Sequence, residues 1–279
     1  MTRSSRTSRR RRAERGGGSA VATSRARRGP VLKTPGELDA MAASGAVLAE
    51  CHDMLAAEVA PGVTTAHLDA LAEELIRARG GVPAFKGYPG PTPYPASICA
   101  SVNDEVVHGI PRDAPLREGD VLAIDCGVVL DGWVSDSART YAVGRVSPIA
   151  ERLISATRVS LDRGIAACLI GNHVGDIGHA VQTEIEAAGF SVVQSLVGHG
   201  VGRSMHEEPQ VPNYGRPGTG PELSEGLVIA VEPMVNAGRQ EVVLGDDGWT
   251  ITTRDGSLSA HWEHTIAITA DGPRILTLA

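Results

Sequence analysis

Aromatic side chains are scarce here, at 3%, so Ala, Val, Leu and Ile must fill most of a core drawn from 42% hydrophobic residues. The four cysteines (Cys51, Cys99, Cys126, Cys168) are far apart and form no C-x-x-C pair. They read as buried or pocket thiols in a reducing, cytoplasmic setting, which excludes a disulfide framework and a zinc knuckle. No stretch approaches 18 consecutive apolar residues, so no membrane span is expected. The basic N-terminus lacks the apolar run that a secretory signal needs. No G-x-G-x-x-G opens a helix after a strand and no G-x-x-x-x-G-K occurs, which leaves nucleotide binding without support.

What is present begins with a charge split. Residues 1–28 carry ten Arg against Glu14 alone, a charge of +9, whereas the remainder carries −16 and the whole chain −7. Such a basic tail on an acidic body has almost nothing to bury, so residues 1–30 are expected to be a disordered extension. It reads as a solvated tail, as an arm for RNA or ribosomal polyanion, or as an organelle transit peptide.

The body opens on a strong helix start: Thr34 can cap, Pro35 suits the first helical position and Glu37 completes a capping box. That helix runs to about Val59 and stops at Pro61-Gly62. A second covers about residues 65–79 and ends at Gly80-Gly81. Two more helices, about 149–169 and 175–188, repeat this order, a pattern that hints at a duplicated αβ unit. Strand-like runs fall at 97–102, 121–129, 133–143, 227–235 and 259–269. Paired helices with strands in hairpins argue for an α+β fold over a parallel βαβ array.

Asp131-Gly132 is a two-residue hairpin signal between apolar runs. With those two in the turn, Asp136 faces Gly127, and Asp125 lies two residues from Gly127 on the same face. The aspartates become diagonal neighbours across the hairpin, about 7–8 Å apart at the backbone. Carboxylates held so close repel unless a proton or cation intervenes, and paired cations about 3.5–4 Å apart would fit between them. The alternative is a bulged turn that leaves one aspartate in solvent. His199 stands in the glycine-rich run Val197-Gly-His-Gly-Val-Gly-Arg203, where backbone can approach a ligand closely. Glu232 and Glu263 each sit in an otherwise apolar strand, where a carboxylate is rarely buried without a partner or a metal. Oxygen-rich ligation with one imidazole suits hard-to-borderline divalent ions such as Mn, Fe, Co or Zn, and the lack of thiolates argues against a closed structural zinc.

Five motifs in order carry a resemblance: Ser101-Val-Asn-Asp-Glu-Val-Val-His-Gly-Ile-Pro111, Asp125 with Asp136, Gly198-His-Gly-Val-Gly-Arg203 with His206-Glu-Glu-Pro-Gln-Val211, Val231-Glu-Pro-Met-Val-Asn236, and Glu263-His-Thr-Ile266. From about Pro35 to the C-terminus the chain resembles type I methionine aminopeptidase. The resemblance implies the pita-bread fold, two pseudo-symmetric αβ halves around a dinuclear metal site, with residues 31–279 as the catalytic domain. It implies removal of N-terminal methionine from nascent chains with a small second residue, by a hydroxide bridging two divalent ions, in a cytoplasmic monomer. Carried over by motif, Asp125 and Asp136 resemble the bidentate pair, with Asp136 bridging both ions. His199 and Glu232 resemble ligands of one ion, and Glu263 the second bridging carboxylate. Glu232 is also implied as proton carrier. His108 and His206 resemble substrate-contacting histidines, and Tyr88, Tyr94, Cys99, Met205 and Trp249 would line the methionine pocket.

The chain departs from that pattern in three places. Val107 stands where Cys is common, and Met205 where Phe is frequent. The proline-rich residues 89–95 form a stretch about three residues longer than usual. A rival reading within the fold is an Xaa-Pro dipeptidase or aminopeptidase, which usually carries a further N-terminal domain. A rival of another class is a non-catalytic binding relative, which retention of all five ligands argues against.

Overall fold

The computed structural model describes residues 1–2 and 29–278, so most of the expected basic extension lies outside the described residues. Four helices occur among the described residues: α1 (Pro35–Glu58), α2 (Thr65–Ala78), α3 (Pro148–Ala166) and α4 (Val174–Ala187). The start of α1 follows from its capping box. The Thr34 N–H donates to Glu37 Oε2 at 2.8 Å while the Thr34 side chain faces the first turn, and Pro35 opens the helix. Each helix pair is followed by its own sheet, as the repeated pattern implies.

In the first half, α1 packs on the hairpin Val121–Leu130 and Trp133–Ala142, which is extended by Ile98–Val102 and the short Val82–Pro83. Leu48, Leu55, Leu68, Ile76, Ile98, Leu122 and Ile124 form its core, all fully buried. In the second half α3 and α4 cover a five-stranded antiparallel sheet, ordered Gly272–Ile275, His264–Thr269, Val228–Val231, Gly198–Gly200 and Glu207–Val211. Here Leu161, Ile165, Ile177, Ile229, Ile266 and Ile268 form the core. Full burial contributes about 1.5–3 kcal/mol per large aliphatic side chain, so each cluster outweighs any single ion pair.

The hairpin register is the one read from the turn. Asp131 and Gly132 have φ of 50° and 75°, the paired positive values of a tight primed turn, and Gly127 pairs with Asp136. Two strands expected as continuous are each broken. Residues 227–235 divide into Val228–Val231 and Met234–Asn236, and 259–269 into Ser259–His261 and His264–Thr269. The two breaks face one another. Val231 pairs with His264 and Met234 with His261, one register on both sides of the gap, so Glu232 stands opposite Glu263 in the opening. Pro233 supplies no N–H to this stretch, and the ladder reopens around it.

The halves meet along a seam that also fixes the site. Ala138 and Glu263 exchange backbone hydrogen bonds of 3.3 and 2.9 Å. On one side Thr265 Oγ1 accepts from Asp136 N at 3.1 Å and donates to Asp136 O at 2.8 Å. On the other, Thr140 Oγ1 donates to His261 O at 2.7 Å and accepts from His261 N at 2.9 Å. Threonine hydroxyls thus replace the missing rungs where the two sheets diverge.

Candidate metal centre

Asp125, Asp136, His199, Glu232 and Glu263 converge at the base of one cavity of about 220 Å³. The hairpin presents the two aspartates on one face, with Cys99 directly opposite Asp125 on the neighbouring strand. The ladder gap presents Glu232 and Glu263. The strand Gly198–Gly200 presents His199, and its glycines allow neighbouring backbone to approach closely. A Cβ on Gly198 would lie 2.3 Å from Ala230 O, and one on Gly200 2.3 Å from Glu208 O. The close approach is to the flanking backbone on both sides.

His199 Nδ1 donates to Gly200 O at 2.9 Å, which leaves the Nε2 lone pair facing the carboxylates. Nε2 lies 3.7 Å from Asp136 Oδ2 and 3.6 Å from Glu232 Oε1, and ligand atoms of Asp136, His199 and Glu263 all lie within 4.8 Å of one another. Burial, with the neighbouring His206, holds the His199 imidazole down at about 4, so it is neutral and able to ligate at pH 7.

The carboxylates behave in the opposite sense. Burial, then the charge of Asp136, pushes Asp125, Glu232 and Glu263 well above the ordinary carboxylate range, and burial pushes Asp136 up to about 7. Asp125 Oδ1, Asp136 Oδ1 and Glu263 Oε1 are buried with no hydrogen-bond partner among the described residues. Four acidic groups gathered with orphaned oxygens are costly unless protons or cations join them. Oxygen donors with one neutral imidazole fit a divalent cation, and the absence of a thiolate ligand keeps the set on the hard side.

Above these groups the cavity wall holds every other residue singled out from sequence: Tyr88, Tyr94, Cys99, His108, Met205, His206 and Trp249. Tyr88 Oη lies 2.7 Å from His206 Nδ1, and the His199 and His206 rings are 4.2 Å apart. Trp249 meets Tyr94 edge-on at 5.2 Å and His108 at 6.4 Å, while its Nε1 donates to Thr92 O at 3.1 Å. The long proline-rich loop is closed by Gly87 N to Tyr94 O at 2.8 Å and Tyr94 N to Tyr88 O at 3.0 Å, which brings both tyrosines to the cavity. Burial, then Asp125, keeps Cys99 a neutral thiol, its proton affinity raised well above the usual range. Burial, then His206, lowers His108 to about 4.

Sequence reasoning missed Phe85, Leu196, Met234 and His261 in the wall. His261 lies two residues before Glu263, a spacing that shares a face in a strand, and this signal was available. Its Nε2 is buried without a partner among the described residues, 3.9 Å from Glu232 Oε2.

Fold and site together define a metal-dependent hydrolase. Residues 39–270 match the profile of Metallopeptidase family M24, and the chain belongs to that family, on its methionine aminopeptidase branch. Methionine aminopeptidase 1 of Mycobacterium tuberculosis is 52% identical over 265 residues, covering 92% of this chain and 98% of that protein. The crystal structure of methionine aminopeptidase from Rickettsia prowazekii superposes with a TM-score of 0.87 at 45% identity, over 89% of this chain and all of that one. A prolidase from Pyrococcus horikoshii superposes at 0.72 but is 21% identical, over 89% of this chain and 63% of the prolidase, and shares the fold alone. Among the described residues no helix is long and apolar enough to cross a membrane.

Proposed function

We propose that this chain hydrolyses the first peptide bond of polypeptides that begin with methionine and carry a small second residue. The observation that carries the reading is the cluster of orphaned carboxylate oxygens in a cavity whose remaining lining is mainly apolar and aromatic, with histidines among it. Asp125, Asp136, His199, Glu232 and Glu263 would hold two divalent ions, as four carboxylates and one neutral imidazole suit such cations. When bound they supply a water acidic near neutrality and a Lewis acid for the scissile carbonyl.

The chain's own residues do the rest. Glu232 takes the proton of the attacking water and passes it to the leaving amine. Tyr88 remains protonated because burial, then Asp136, raises it, so its O–H can donate to His206 Nδ1 and leave the imidazole proton on Nε2. His206 Nε2–H then donates to the developing oxyanion. His108, neutral for the reason given above, accepts from the scissile nitrogen side. Tyr94, Cys99, Met205 and Trp249 enclose an unbranched thioether side chain without offering it a charge.

Cleavage of Met-Ala-Ser with little cleavage of Ala-Pro-Ala is the expected result for protein assayed with Mn or Co added. A preference for the proline substrate would move the assignment to the Xaa-Pro branch of the fold. Nascent polypeptides in a reducing cytoplasm fit as physiological substrates, and the arginines of residues 1–28 fit a contact with RNA or ribosomal polyanion. Deleting residues 1–29 should leave kcat and KM on the tripeptide within about twofold, because a segment with so little apolar surface has almost nothing to add to the core. A tenfold loss of kcat would show that the arm packs on the catalytic body.

A further inference from the structure

Lys33 lies just before α1, and its ammonium is turned inward. Its side chain is 2% exposed, and Nζ donates to Glu207 Oε2 at 2.7 Å and to Val31 O at 2.9 Å. The Lys33 backbone N–H donates to Gly226 O at 2.7 Å, and Gly226 N donates to Ile268 O at 2.9 Å. Lysine is thereby tied to the strand that follows Glu263. The second oxygen of Glu207, Oε1, accepts from Arg203 N at 2.9 Å and Ser204 N at 3.3 Å. Residues 202–207 therefore fold round one carboxylate. A Cβ on Gly202 would lie 2.4 Å from Glu207 Oε1 and 2.7 Å from Lys33 Cε, so the wrapping leaves no slack. The two residues this loop delivers to the cavity are Met205 and His206. A lysine ammonium this buried with only a backbone carbonyl beside it would be an uncompensated charge, and the Glu207 carboxylate removes that cost.

We infer that Lys33 is a positioning residue for His206, acting through Glu207: the Lys33–Glu207 ion pair closes the loop 202–207 and so sets His206 against the substrate carbonyl. The inference rests on the role given to His206 above. Apart from its loop, His206 is steadied by Tyr88 Oη, and displacement of an oriented group by about 1 Å can cost up to about 10²-fold in rate. Closure of the loop acts mainly on orientation in the transition state, so kcat carries more of the effect than KM.

The test is a set of four proteins, unchanged, Lys33→Met, His206→Ala and the double variant, each with kcat and KM on Met-Ala-Ser, metal content and Tm measured. Lys33→Met is expected to lower kcat about tenfold with KM within about threefold and metal content unchanged. In the His206→Ala background the same substitution should lower kcat less than twofold, because the group it positions is gone. Lys33→Arg, which keeps the cation, should recover most of the loss. Should Lys33→Met fail to fold, Glu207→Gln reads the same coupling, since the amide keeps an oxygen for Arg203 and Ser204 but loses the charge. Equal fold-losses with and without His206, or unchanged kcat in Lys33→Met, would overturn the positioning role while leaving the function intact. Full activity in His206→Ala alone would sink the assignment of His206, and this inference with it.

Discussion

Replacing His206 with alanine is expected to lower kcat by about 10²–10³ while metal content stays near that of the unchanged protein, a magnitude typical of losing one oxyanion donor. KM should move less, because the bond to the carbonyl oxygen strengthens as charge develops there. The opposite pattern is expected seven residues upstream. His199 has its Nδ1 committed to Gly200 O, and its Nε2 lies within 3.7 Å of both Asp136 and Glu232 carboxylate oxygens. His199→Ala should therefore lose metal affinity first and rate as a consequence, with excess Mn or Co partly restoring activity. The two rings are 4.2 Å apart, so a probe of general disruption would hit both equally. Metal stoichiometry beside steady-state kinetics separates them. Loss of metal from His206→Ala and retention by His199→Ala would reverse the pair, and full activity in both would sink the metal-hydrolase reading.

The parts of this site that were legible in the chain are those fixed by local rules. Asp131-Gly132 is a short-range turn signal, and a turn sets register for every residue of both strands. The pairing of Gly127 with Asp136, and so the diagonal approach of the two aspartates, follows from it. The capping box at Thr34 is equally local. The gap that holds Glu232 opposite Glu263 was not legible, for two physical reasons. Val228–Val231 is buried on both faces, so the alternation that would register it is missing. The pairing of Val231 with His264 also spans a separation that no turn encodes. The threonine seam is hidden for the same reason, since Thr140 and Thr265 look like ordinary strand residues until the sheets diverge around them. Lys33 was unreadable in a third way: one lysine before a helix looks solvated, and only the fold brings Glu207 to it.

Stripping the metal is expected to produce a protein whose Tm falls as pH rises above about 6.5, while the metal-loaded protein gains on it. Asp125, Asp136, Glu232 and Glu263 hold protons in the metal-free fold well above the ordinary range near 4, Asp136 to about 7, because burial disfavours their charged forms. A carboxyl whose proton affinity is raised by folding stabilises below its unfolded value and loses that contribution as pH climbs through the folded one. The buried imidazoles work against this at lower pH. His108 and His199 at about 4 and His261 at about 3 lose protons on folding, so their contribution grows as pH rises from about 4 to 6.5 and is complete above that. The two sets oppose one another below pH 6.5; above it the carboxylates act, joined near pH 8.5 by the buried thiols of Cys99, Cys126 and Cys168, whose raised proton affinity works in the same direction. Each proton retained by the fold in that range is worth about 1.4 kcal/mol per pH unit, or about 3–5 °C of Tm for a domain of this size. Metal binding needs the same carboxylates ionised, so its affinity, and the Tm it adds, rise with pH. Thermal melts in EDTA and in saturating Mn at pH 6.5, 7.5 and 8.5 check both slopes. A chelated protein whose Tm is flat or climbs across that range would mean that the four carboxyls share no protons, and that repulsion among them is not what a divalent cation relieves.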